Sequence, residues 1–88
     1  MIPAAPRDFV ASSHHGVIDL EWSAAAGDRA TVDYVLVRND GVVRYVAATS
    51  YSDDSINPSQ SYAYTLVARN AAALRSAPIT ILTEVDTR

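Results

Sequence analysis

Eighty-eight residues and 9.5 kDa are one domain's worth of chain, of a size that buries roughly 63% of the surface its unfolded form exposes. No cysteine is present, which removes disulfides, thiolate nucleophiles and cysteine-based zinc sites. The formal charge of −3 argues against nucleic acid, because phosphate binding needs a basic face.

Met1 to Pro6 lacks the charged start of a secretory leader, and no apolar run approaches the ~20 residues that cross a bilayer. Two readings of the ends stay open: a module of a longer chain, or a complete small protein. After Pro3 and Pro6 a first strand is expected over 9–12. The second, 17–22, alternates on period two, with Ile18, Leu20 and Trp22 facing one way and Asp19 and Glu21 the other. Residues 24–28 read as a loop, since Gly27 and the flanking strands leave a helix no length.

A third strand over 32–38 carries Tyr34 and Leu36 on one face and Val35 and Val37 on the other. Asn39-Asp40-Gly41 tolerates positive φ and should reverse the chain into a strand over 42–46. Residues 49–51 make a short fifth strand, and Asp53-Asp54-Ser55 and Asn57-Pro58-Ser59 are turn chemistry. The next strand, 62–69, sets Tyr62, Tyr64, Leu66 and Ala68 against Ala63, Thr65, Val67 and Arg69. Ala71-Ala72-Ala73-Leu74 is too short to nucleate a helix, and Pro78 leads into a last strand over 79–83. Seven short strands with frequent turn signals predict an all-β, seven-stranded antiparallel sandwich.

Several of these segments fall into a known order: Pro3-x-x-Pro6, then Leu20-Glu21-Trp22, then Tyr34 with Leu36 and Arg38. They are followed by Ile56-Asn57-Pro58-Ser59-Gln60-Ser61-Tyr62-Ala63-Tyr64, by Ala68-Arg69-Asn70 and by Ser76-Ala77-Pro78. In this the chain resembles a fibronectin type III domain from Pro3 to Thr83. The resemblance implies a single immunoglobulin-like domain over 1–88, with its body at 3–83 and a polar tail at 84–88. It makes Trp22 the core tryptophan and Ile56 the aliphatic residue before the Tyr-x-Tyr strand. Many bacterial members carry glycine where this chain has Ala73, so the loop before the last strand is expected to differ in shape. The structural core expected is Trp22, Tyr34, Leu36, Ile56, Tyr62 and Tyr64. The Tyr62 ring should pack inward while its hydroxyl bonds backbone a few residues upstream.

Candidate chemistry is sparse. Adjacent residues of an extended chain point apart and no cysteine or further histidine completes a ligand set, so His14-His15 reads as a solvated loop pair. Asp19 and Glu21 share a strand face about 7 Å apart, a spacing glycosidases use, but without a cleft they read as a polar outer face. Asp53-Asp54 lacks the repeat of a calcium loop and reads as a solvated turn. No serine sits in a Gly-x-Ser-x-Gly turn, and no glycine-rich phosphate loop is present. Where integrin-binding relatives of the resembled family carry Arg-Gly-Asp, this chain has Gly27-Asp28-Arg29. Tyr45 and Tyr51 are the tyrosines least committed to the core and are the candidates for surface recognition, with packing as the weightier alternative for both.

The resemblance therefore implies a non-catalytic module without a cofactor. Its expected role is that of a spacer or protein-interaction domain in a secreted bacterial polysaccharide-degrading enzyme or surface protein. Partners would be other protein domains or subunits, with polysaccharide as the lesser candidate, and neither nucleic acid nor membrane. The alternative is a complete small structural protein of a phage virion, a capsid decoration or tail module, docking by an edge strand or a sheet face. The location is extracellular on the first reading and the virion on the second.

Overall fold

The alternation that the sequence displays becomes two faces of each strand. In the computed structural model, which describes residues 3–14, 16–24, 31–57 and 60–84, seven strands are formed. They are β1 (Arg7–His14), β2 (Val17–Ser23), β3 (Thr31–Arg38), β4 (Val43–Val46), β5 (Ser50–Asp53), β6 (Ser61–Asn70) and β7 (Ile79–Glu84). All pairings are antiparallel, in a three-stranded sheet of order β1-β2-β5 and a four-stranded sheet of order β4-β3-β6-β7. No helix occurs among the described residues. The first and fifth strands run longer than the sequence predicts, and the fifth takes in Asp53, expected in a turn. Glu84, expected in the tail, ends β7. His15, residues 25–30, Pro58, Ser59 and the tail at 85–88 lie outside the described residues.

The core forms where the inner faces of the two sheets meet. β2 contributes Ile18, Leu20 and Trp22, β3 contributes Tyr34 and Leu36, and β6 contributes Tyr62, Tyr64, Leu66 and Ala68. Trp22 is the hinge of one end: its ring stands edge-on to Tyr34 at 5.4 Å and to Phe9 at 5.9 Å, the offset geometry aromatic quadrupoles favour. Its indole N–H is buried with no hydrogen-bond partner among the described residues, and the ring contributes through buried area and edge contacts. At the other end the Tyr62 hydroxyl accepts a hydrogen bond from the Asn57 backbone N–H at 2.7 Å. Ile56 packs, half-buried, against the rim of the core beside that corner.

Register fixes where the chain enters and leaves. Arg7 at the start of β1 pairs with Ser23, one residue past Trp22, at the Tyr34 end of the sandwich. Glu84 at the end of β7 pairs with Ser61, next to the end of β3, where the Asn39 N–H donates to the Ala63 carbonyl at 2.9 Å. The two ends therefore lie at opposite poles of a body 43 Å long and 23 by 17 Å across.

The β6–β7 turn is built by polar side chains standing in for a ladder. Asn70 Oδ1 accepts from the Ala72 and Leu74 N–H groups at 3.0 and 3.1 Å. The buried Ser76 hydroxyl accepts from the Ala68 N–H at 2.9 Å and sits 2.9 Å from the Ala77 carbonyl. Within this turn Ala73 adopts φ 64°, the left-handed region that costs an L-residue about 1–2 kcal/mol. The loop keeps the conformation that glycine favours and holds it with alanine.

Three outcomes follow for stability, each read from urea unfolding midpoints at constant m-value. Trp22→Ala should cost about 3–5 kcal/mol, and Tyr62→Phe about 1 kcal/mol through the lost acceptor. Ala73→Gly should stabilise by about 0.5 kcal/mol, the relief of strain less the added freedom of the unfolded chain; a destabilised variant would contradict the turn geometry.

Candidate functional site in a buried ion network and two unlike sheet faces

Arg38 follows Tyr34 and Leu36 on the inward parity of β3, so its guanidinium is delivered into the core, where the residue is 6% exposed. A cation taken out of water is tolerated only if it is paired and hydrogen-bonded, and every arm of this one is engaged. Nε and Nη2 fork onto the two oxygens of Asp40 at 2.7 and 2.8 Å. Nη1 donates to Asp53 Oδ2 at 3.0 Å and lies 3.2 and 3.3 Å from the hydroxyl and carbonyl oxygens of Ser55. The plane of the guanidinium sits over the Tyr62 ring at 4.7 Å.

Asp53, 3% exposed, is as fully satisfied as its partner. Oδ2 also accepts from the Tyr64 hydroxyl at 2.7 Å, and Oδ1 accepts from the Ser55 N–H at 3.1 Å and its hydroxyl at 2.8 Å. Burial pushes the Asp53 carboxyl upward, but the bonds from Tyr64, Ser55 and Arg38 outweigh it and hold the group below the ordinary carboxylate range. Burial, then the bond to Asp53, raises the Tyr64 phenol. The network ties β3, β5, β6 and the β3–β4 turn together and leaves beside it a void of only about 10 Å³. With all its lone pairs engaged and no room for a substrate, it is a structural bolt. Asp53 is thus not the solvated turn residue the sequence predicts. The sign that it would be buried lay in Arg38, a charge at a core-facing position that obliges an acid to meet it.

No group of three or more histidine, aspartate or glutamate residues that could hold a metal exists among the described residues. Asp19 and Glu21 sit on the outer face of β2, flanked across the ladder by Ser12, Ser50 and Ser52. The Ser52 hydroxyl donates to Asp19 at 2.6 Å, and Val10, opposite Glu21, is the exposed apolar residue among them, so this face is mainly polar and acidic.

The outer face of the four-stranded sheet is different. One row across it reads Tyr45, Val35, Val67, and the next reads Val43, Val37, Thr65, Thr80. Ala63 and Leu82 follow. Asp33 and Arg69 on it are paired to each other through Nε at 2.8 Å and through a second bond from Nη2. The exposed Arg75 is bridged to Arg69 beside them, and Glu84 stands opposite Ser61 at the other end. Arg69 in turn covers one face of the Tyr45 ring at 4.7 Å. Tyr45 remains 58% exposed and Leu82 83% exposed, and Leu82 helps line a shallow depression of about 370 Å³ with Asn39, Ser61 and Tyr62.

The two candidate recognition tyrosines thus part company. Tyr45 lies on this open face, whereas Tyr51 is half-buried against the core and its hydroxyl accepts from Arg44 Nε at 3.1 Å. Tyr51 bridges β4 and β5 in the packing role that was the weightier alternative for both tyrosines.

No family model matches the chain. It is 32% identical over 71 residues to Chitinase C of Streptomyces lividans, a match that takes in 80% of this chain and 12% of that protein. A solved Fn3-like protein from Clostridium thermocellum superposes with a TM-score of 0.75 at 18% identity, covering 100% of this chain and 98% of the other. The chain has the fibronectin type III-like fold. The same fold lies within the spore cortex lytic enzyme SleM of Clostridium perfringens, with a TM-score of 0.76 at 19% identity over 96% of this chain and 29% of that one. The fibronectin type III-like domain therefore spans about one eighth of the chitinase it matches, and the virion alternative finds no support in these likenesses.

Removing Asp53 tests the bolt. Asp53→Ala should cost about 3 kcal/mol, the low end for a broken buried pair because Asp40 still neutralises Arg38. Since the folded-state carboxyl is more acidic than the ordinary value near 3.9, its stabilising contribution is full above about pH 4 and drains away as the pH falls further. Urea midpoints between pH 6 and pH 2.5 should fall more steeply for the parent chain than for Asp53→Asn; parallel curves would contradict the assignment.

Proposed function

We propose that the fibronectin type III-like domain is a non-catalytic module of a secreted polysaccharide-degrading enzyme, where it sets the distance between other domains. The observation that carries the reading is the match at 32% identity to a stretch of Chitinase C that makes up 12% of that protein. A segment of that size within a much longer enzyme is an accessory unit. The fold here fits the task physically: ends at opposite poles of a 43 Å body convert one domain into a fixed increment of reach. The buried ion network and the aromatic core keep that increment stiff. Pro3 and Pro6 at the start restrict the preceding hinge by fixing φ.

An exchange experiment tests this. The matching 71-residue stretch of Chitinase C is deleted in one variant and replaced by this chain in another. Replacement should keep hydrolysis of insoluble chitin at the parent level while deletion lowers it, and both should cleave soluble oligosaccharides like the parent. A replacement that behaves as the deletion does would overturn the spacer reading.

A further inference from the structure

The outer face of an antiparallel sheet that meets water ordinarily alternates its buried residues with polar and charged ones. The three-stranded sheet obeys this, with Asp19 and Glu21 outward. The four-stranded sheet does not. Across the rows of Tyr45, Val43 and Leu82 the described side chains are aliphatic, aromatic or hydroxyl-bearing, and the charges stand at the ends, the Asp33–Arg69 pair with Arg75 at one and Glu84 at the other. Val35 at its centre is 1% exposed although it points away from the core, so its neighbours close over it.

The size of this face restricts its occupant. Four strands about 4.8 Å apart and three rows about 6.8 Å apart give roughly 400 Å², half of the ~800 Å² per partner that a stable protein interface buries. Two copies of a chain with net charge −3 would also repel each other. A flat, uncharged partner meets neither obstacle. Tyr45 supplies a ring already oriented: Arg69, itself anchored on Asp33, holds it by one face, and at 58% exposure it presents aromatic surface on which an apolar sugar face can stack. Thr65 and Thr80, whose hydroxyls lie 2.9 Å apart, offer neutral polar groups of the kind that exchange hydrogen bonds with sugar hydroxyls.

We propose that the Tyr45 face of the β4-β3-β6-β7 sheet lies flat against an uncharged, insoluble polysaccharide such as chitin, with Tyr45 as the stacking residue and the acidic β2 face turned to solvent. This rests on the reading that the host enzyme works on such a polymer, and adds to spacing a weak hold on the substrate surface.

The test is co-sedimentation of this chain with insoluble chitin at low salt and in 1 M NaCl, using Tyr45→Ala, Thr80→Asp and, on the opposite face, Glu21→Gln, each checked for folding by its urea midpoint. The parent and Glu21→Gln should sediment with chitin equally at both salt concentrations. Tyr45→Ala and Thr80→Asp should be held about tenfold more weakly, as for loss of a contact of about 1.4 kcal/mol. Absence of binding by the parent, equal binding by all variants, or a dimer in solution that Tyr45→Ala dissociates would each overturn the proposal. The exchange into Chitinase C keeps the two readings apart: a chain that restores hydrolysis without binding chitin refutes the face and leaves the spacer, and the reverse result refutes the spacer and leaves the face.

Discussion

A guanidinium buried between two sheets is tolerated only where acids and aromatic faces are brought to it, and in this chain they arrive from two other strands and a turn. Arg38 sets the condition. Asp53 must end β5 on the inward side, the Tyr64 hydroxyl must reach it, and Asp40 must fold back across the β3–β4 turn. Once these are in place the sheets have a fixed spacing and register at that end. The task a disulfide performs in other small sandwiches falls here to a charge network that specifies geometry as much as it stabilises. Trp22, Phe9 and Tyr34 close the opposite end by shape alone. The body is thus pinned at both poles by unlike means, one directional and one not.

Much of this was legible from residues alone, because period two is a strong signal when large apolar side chains alternate with charged ones, as in β2 and β6. The faces of the core aromatics could be placed on that basis, and the resemblance to fibronectin type III domains implied the Tyr62 corner. Asp53 could not, since Asp-Asp-Ser has the composition of a turn and its partner lies fifteen residues away in the other sheet. Parity gave the missing hint for both Asp53 and Tyr51: two residues apart on one strand, they face the same way, and that way is inward. The neutral face was invisible for another reason. Val35, Val67 and Tyr45 become neighbours only through the register of three strands, which no local pattern contains. Ala73 was marked by its departure from the glycine usual in similar chains, yet its positive φ is a property of the turn that Asn70 and Ser76 hold in place.

The two outer faces give the domain a direction that a simple strut would lack. One carries Asp19, Glu21 and serine hydroxyls, the other a neutral band with its charges at the two ends, and a sandwich between them cannot present both to the same surroundings. A module whose sides differ in this way constrains how its neighbours are oriented about the long axis as well as how far apart they stand.

The placement of the two ends has a consequence under load. Tension applied through Arg7 and Glu84 runs along β1 and β7, parallel to their ladders with β2 and β6. The hydrogen bonds of each pair then share the force in shear and must yield together, where a pull across a ladder would open them one at a time. Set under load along its long axis, the domain would therefore resist extension more strongly than under a pull across its ladders.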